Sequence, residues 1–171
     1  MKVGILGNKN KIKSTQVIEE MQDFVGSCGY ETVRFNAYNE IDGVDVVLVL
    51  GGDGAILHSA VYAARKNIKV IGINYGTLGF LAEYEKNERE RVKDLLVALE
   101  KDECRIVRRS MLQLDIGEKT YFALNEIAIQ RDHGLFSMNA KQILDLEICA
   151  QEGCDVISGD GVLICTPTGS T

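Results

Sequence analysis

Apolar residues recur along the first hundred positions in two alternating rhythms. Val3 to Leu6 is a short apolar run closed by Gly7, the pattern of a buried strand. From Lys11 to about Val25 the spacing becomes helical, with Val17, Ile18, Met21, Phe24 and Val25 on one face and Gly26 and Gly29 as stops. ETVRF (31–35) alternates as a strand, and NAYNEID is a polar connection. Val44 to Leu50 is almost continuously aliphatic, interrupted by Asp45, which suits a strand covered on both faces. Ala55 to about Lys66 predicts a helix whose stripe is Ile56, Leu57, Ala60, Val61 and Ala64. IKVIGIN predicts a strand ending at YGTLGF, and residues 87–103 predict an amphipathic helix with Val92, Leu95, Leu96 and Leu99 on one face. Strands alternating with helices over most of this stretch predict an α/β fold, a doubly wound layer of Rossmann or flavodoxin-like type.

The rhythm changes after Glu103. RIVRRSMLQLDIGEKTYFALNEIAIQ alternates over long stretches around a turn at Gly117-Glu118-Lys119, and ILDLEICAQEG and VLICTP continue the pattern. This predicts antiparallel strands. The expected organisation is an α/β domain over 1–103 and an antiparallel β-rich domain begun over 104–171. No internal repeat or low-complexity tract interrupts it. The stop at Thr171 falls within turn chemistry, and the chain reads as a fragment of a longer protein.

Composition narrows the partners. Hydrophobic residues make up 46% of the 171, enough for a substantial core. With 19 basic against 25 acidic residues the net charge is −6. That balance argues against nonspecific binding to nucleic acid or an anionic membrane, so neither is expected as a partner. No segment is apolar and long enough to span a bilayer, MKVGILGNKN lacks a signal peptide's apolar region, and a cytoplasmic location is expected. The five cysteines (28, 104, 149, 154 and 165) include no C-x-x-C and meet only two histidines. All five are expected as reduced, mostly buried thiols, with no protein metal site.

The candidate chemistry lies where the aliphatic strand ends. Gly51, Gly52, Asp53 and Gly54 stand between that strand and a helix, at the carboxyl edge where open α/β sheets bind ligands. Glycine permits close approach and positive φ, and the helix start offers free N–H groups and a positive dipole end, together a phosphate cradle. A carboxylate repels phosphate, so Asp53 makes sense there as a proton acceptor from a hydroxyl, as a cation ligand, or as both. Its bland alternative is a cap on the helix from Ala55. Neither a Walker A pattern nor G-x-G-x-x-G occurs. Three more stretches stand out: NYGTLGFL (74–81), LNEIAI with Asn125 and Glu126, and GDGVLICTPTGST with Asp160 and the hydroxyls of Thr166, Thr168, Ser170 and Thr171. Taken singly each has an ordinary reading: Phe80 as core, Asn125-Glu126 as a bulge or surface pair, the hydroxyl cluster as a turn.

In this order and spacing the four stretches GGDG, LGF, NE and TPTGST resemble the NAD kinases, and the resemblance runs from the first strand to the last residue. It implies phosphoryl transfer from ATP, or from polyphosphate, to the 2′-hydroxyl of the adenosine ribose of NAD, giving NADP, with Mg²⁺ or another divalent cation. It implies Asp53 as the proton acceptor, and Gly51, Gly52 and Gly54 against the phosphates. Asn125 and Glu126 would hold the ribose and dinucleotide, with Phe80 near the adenine and Thr168 and Thr171 lining the adenine side. Asp160 would contact the dinucleotide across a subunit interface, as in a homodimer or homotetramer. His58 matches a position facing the phosphates, although helical spacing also groups it with Tyr62 and Arg65 on a solvated face. Members of the family continue beyond the final threonine, so the 171-residue chain itself is expected to have low or no activity. The alternatives are a lipid or sugar kinase sharing the GGDG loop, or a non-catalytic nucleotide-binding module.

Overall fold

The computed structural model describes residues 1–7, 15–76, 79–131 and 143–170. The chain divides into two compact units, Met1–Arg108 and Arg109–Thr171.

In the first unit the strands are β1 (Lys2–Gly7), β2 (Glu31–Phe35), β3 (Val46–Gly51), β4 (Lys69–Asn74) and β5 (Tyr84–Glu85). They form one parallel sheet in the order β2-β1-β3-β4-β5. The helices are α1 (Thr15–Ser27), α2 (Asp53–Ala64) and α3 (Arg89–Glu100), with a 3₁₀ turn at Tyr38–Glu40. The start expected for α1 at Lys11 lies outside the described residues. β3 is buried along its whole length, as its unbroken aliphatic run requires.

Alternation along the strands divides the core. Val3, Ile5, Val46, Leu48, Leu50, Ile71 and Ile73 pack on one face with Ile18, Met21 and Val25 of α1 and Val92, Leu96 and Leu99 of α3. Leu6, Val47 and Val49 pack on the other face with Ala55, Ile56 and Ala63 of α2. Helices therefore cover both faces, the doubly wound layer the pattern predicts. In this strand order the direction of winding reverses between β1 and β3, so the crevice expected to take a ligand opens at their carboxyl ends. GGDG follows β3 there.

The second unit consists of antiparallel ribbons. β6 (Leu112–Ile116) pairs with β7 (Lys119–Ala123) around a turn in which Gly117 has φ +57°, a left-handed geometry suited to glycine. β8 (Glu126–Gln130) pairs with β11 (Gly161–Cys165), and β9 (Leu144–Ala150) with β10 (Gly153–Gly159).

One expectation fails here. Cys149 and Cys154 stand directly opposite each other across β9 and β10, with Cα atoms 4.0 Å apart, and are joined as a disulfide. Hairpin register brings them together, and a spacing of five residues does not advertise it. Of the remaining thiols Cys28 and Cys104 are half-buried and Cys165 is exposed, so the expected burial does not hold either. No helix among the described residues is long and apolar enough to cross a membrane.

Candidate active site

α2 begins two residues earlier than its apolar stripe suggests. Gly52 is its N-cap, and Asp53 is its first residue. Asp53 is therefore not the cap, and its side chain leaves the helix end instead. One carboxylate oxygen, Oδ2, accepts the backbone N–H of Phe80 at 2.8 Å; the other, Oδ1, accepts that of Leu81 at 3.0 Å. A negative charge in the first turn also suits the positive end of the helix dipole.

The glycines around Asp53 act through space, not through left-handed backbone. Gly52 has φ −103°, and among the described residues the positive-φ glycines are Gly29, Gly43, Gly117 and Gly153. Gly51 lies against Ala55, where an added Cβ would come within 2.8 Å of the Ala55 Cβ. Beside Gly52 and Gly54 a Cβ would meet nothing within 4 Å. The helix start is thus open, and the first-turn N–H groups of Asp53 and Gly54 have no intrahelical partner. Phe80 is 99% exposed, which overturns its ordinary reading as core. His58 is exposed on α2 and lies against Tyr38, ring centroids 5.3 Å apart.

Asn74 carries a role that pattern reading missed. It is buried at the end of β4, donates to Glu85 Oε1 at 3.1 Å and accepts the Gly76 N–H at 3.0 Å. It ties the loop after β4 to the edge strand β5. An asparagine closing an otherwise apolar strand was the available signal.

In the second unit the NE pair and the TPTGST turn come together although 40 residues separate Glu126 from Thr166. β8 and β11 are in register with Glu126 opposite Cys165, and the turn follows at once. The Thr166 N–H donates to the Asn125 carbonyl at 2.8 Å, and its hydroxyl donates to the Leu124 carbonyl at 2.6 Å. Gly169 packs on the Asn125 backbone so closely that a Cβ would overlap it. Arg109 donates to the Thr168 hydroxyl at 3.2 Å. Asn125 Oδ1 is buried with no hydrogen-bond partner among the described residues, an acceptor lacking a donor.

Asp160 is not part of that cluster. It precedes β11 at the other end of the ribbon, about 17 Å away at strand rise. There its backbone carbonyl accepts the Arg131 N–H at 3.1 Å, and its carboxylate pairs with the Arg131 guanidinium at 3.3 Å. Thr171 lies outside the described residues. The one group of three candidate metal ligands among the described residues is Glu147, Cys149 and Cys154. Its two sulfurs are bonded to each other, which leaves a single carboxylate.

Residues 32–104 match the family model of the ATP-NAD kinase N-terminal domain. The chain is 30% identical to the NAD kinase of Fusobacterium nucleatum over 174 residues, covering 100% of this chain and 61% of that protein. It is 35% identical to the NAD kinase of Clostridium kluyveri over 170 residues, covering 95% of this chain and 57% of that protein. In fold it resembles an NAD kinase from Archaeoglobus fulgidus solved with ATP (TM-score 0.71, 22% identity, 99% of this chain and 62% of that one). It also resembles yeast NADH kinase solved with NADH (TM-score 0.73, 22% identity, 100% and 59%). The chain spans about three fifths of the length of these relatives.

Proposed function

The chain corresponds to the N-terminal portion of the NAD kinases it matches, and from that premise we propose that it serves phosphoryl transfer from ATP to the 2′-hydroxyl of the adenosine ribose of NAD. Polyphosphate is the alternative donor. The observation that carries this reading is a carboxylate at the open N-terminus of α2, on the carboxyl edge of the sheet.

Asp53 is the proposed proton acceptor. Each of its oxygens holds one backbone N–H and keeps a lone pair for the hydroxyl proton. As the ribose oxygen bonds to the γ-phosphorus, the proton passes to Asp53 and the bond to ADP breaks. The free N–H groups at Asp53 and Gly54, with the open space beside Gly52 and Gly54, admit phosphate oxygens. Among the described residues no set of three protein ligands gathers at the α2 end. A divalent cation bound there with the nucleotide would neutralise charge on the transferring group.

Exposed Phe80 offers a face for the adenine. Asn125 Oδ1, buried and lacking a donor, fits a ribose hydroxyl, with Glu126 and Thr168 beside it in the same unit. Asp160, at the far end of its ribbon, fits a dinucleotide bound by a second subunit of a homodimer or homotetramer. His58 remains a weaker member of the phosphate side, since Tyr38 already occupies one side of its ring. A cytoplasmic location accords with these soluble substrates.

The test is an acceptor screen with γ-labelled ATP and Mg²⁺ on the natural-length gene product, offering NAD⁺, NADH, a diacylglycerol and a hexose. Label on the dinucleotide alone is expected. Label on the lipid or sugar would replace the reading, and nucleotide binding without transfer to any acceptor would favour a non-catalytic module.

A further inference from the structure

We propose that the three residues Gly79, Phe80 and Leu81 are the positioning element for the Asp53 carboxylate, and that Gly79 lacks a side chain because the carboxylate occupies its place. Two independent observations carry this. First, both carboxylate oxygens are held by consecutive backbone N–H groups, Phe80 at 2.8 Å and Leu81 at 3.0 Å, across 27 and 28 residues of sequence. Second, a Cβ built on Gly79 would overlap Oδ1, Oδ2 and the carboxyl carbon of Asp53 together.

The carboxylate has little freedom to move away from a side chain at residue 79. Asp53 is short, with two side-chain torsions, its Cα lies in the first turn of α2, and turning either torsion would give up the hydrogen bonds from Phe80 and Leu81. The loop is anchored on its other side. Leu81 and Ala82 pack against the core beneath α2, and the Glu83 N–H donates to the Gly72 carbonyl at 3.2 Å. Helix start and loop are thus both fixed, and the carboxylate bridges them in one orientation. Consecutive N–H groups aimed at one anion also lock its plane, because each oxygen has its own donor. The same three residues carry the exposed Phe80 ring, so the loop that aims the acid also sets the aromatic face beside it. Gly76, three residues earlier, is different: a Cβ there would meet only Asn74 Oδ1, at 3.9 Å.

The clamp is tested without any nucleotide, while its catalytic meaning rests on the NAD kinase reading. Amide hydrogen exchange of Phe80 and Leu81 is followed by NMR in the 171-residue chain, with the β3 amides as a control for global folding. Both loop amides are expected to exchange slowly, and Asp53→Ala is expected to speed both about tenfold or more while Gly76→Ala does not. Unchanged exchange at Phe80 and Leu81 in Asp53→Ala, with β3 still protected, would overturn the clamp whatever the enzyme does.

The second arm is kinetic, on the natural-length protein. Gly79→Ala is expected to lower kcat about 10²-fold with KM for NAD kept within about threefold, the mark of a misplaced acid rather than a lost binding surface. A rise in KM at unchanged kcat would overturn the positioning role. Protected amides in a protein that phosphorylates no dinucleotide would uphold the clamp and reject the reading on which its catalytic role rests.

Discussion

At the scale of single residues, Asp53 decides between two readings of one short loop. A cap would turn its side chain back onto its own helix, but Gly52 holds the cap position and Asp53 reaches across to Phe80 and Leu81. Asp53→Asn keeps the shape and one acceptor oxygen but removes the proposed base. It is expected to lower NAD phosphorylation by about 10²–10⁴, or about 3–5 kcal/mol, measured as kcat with NAD binding checked by calorimetry. Near-normal turnover would remove Asp53 from the mechanism. The position of Asp53 at a helix start was legible in the sequence, as an acid between glycines at the end of an aliphatic run, with a helix cap as its other reading. Its partners were not, because they are main-chain N–H groups that every residue carries. Only the glycine of LGF hinted at a close approach, and only a structure shows what approaches it. Of the two things glycine permits in GGDG, close approach and positive φ, the structure uses the first: glycine there gives room, and composition does not distinguish room from backbone freedom.

Secondary-structure elements were read well where one period ran long. The β3 run and the stripe of α3 stand as the pattern predicts, since burial on a sheet or helix face imposes that period directly. On α2 the expected stripe is wrong: of its five residues only Ile56 is buried, and the helix turns Ala55, Ile56, Ser59 and Ala63 to the core, while Leu57, Ala60 and Val61 are half-buried and Ala64 is exposed. β5 was missed because two residues carry no period, and its pairing with β4 depends on register at Ile73 and Asn74. β10 was missed because Gly153, Cys154 and Asp155 interrupt its alternation. Leu48 sits fully buried in the middle of β3, and Leu48→Ala is expected to cost about 2–5 kcal/mol in denaturant unfolding. A loss under about 1 kcal/mol would mean that β3 is not the core strand.

Surface ion pairs link the elements and set an acid limit. Arg89 of α3 and Gln16 hold the Glu20 carboxyl of α1 below its usual range. Lys66, with the Gly43 amide, does the same for Asp42, and the Glu85 amide and Arg91 do so for Glu88. Folded carboxyls of lowered pKa add stability that is full above the ordinary carboxylate pKa of about 4 and is lost as pH falls through the folded values. Thermal stability is therefore expected to be level near neutrality and to fall below about pH 4. The double variant Glu20→Gln, Asp42→Asn should show a shallower fall in melting temperature. An equal fall in that variant would contradict the assignment.

At the scale of the whole molecule the two units differ in how they are built. The first holds nearly the whole buried core. In the second, Leu124 and Thr166 are the buried residues among those described, while Ile129, Val156, Leu163 and Ile164 are exposed. Two-stranded ribbons leave apolar faces uncovered, and alternation alone does not say whether a second layer lies over them. The disulfide belongs to this scale too. Thiol titration under denaturing, non-reducing conditions should count three thiols, Cys28, Cys104 and Cys165, and five after reduction. Five before reduction would restore the expectation of free cysteines throughout.

The proposed function makes Asp53 the proton acceptor in 2′-phosphorylation of NAD. Its most direct test is NADP⁺ formation from NAD⁺, ATP and Mg²⁺ by the natural-length gene product, read through an NADP-specific dehydrogenase, with wild type and Asp53→Asn side by side. Steady NADP⁺ formation by the wild type and its near-loss in the variant are expected. A folded wild type that forms no NADP⁺ from either ATP or polyphosphate would contradict it.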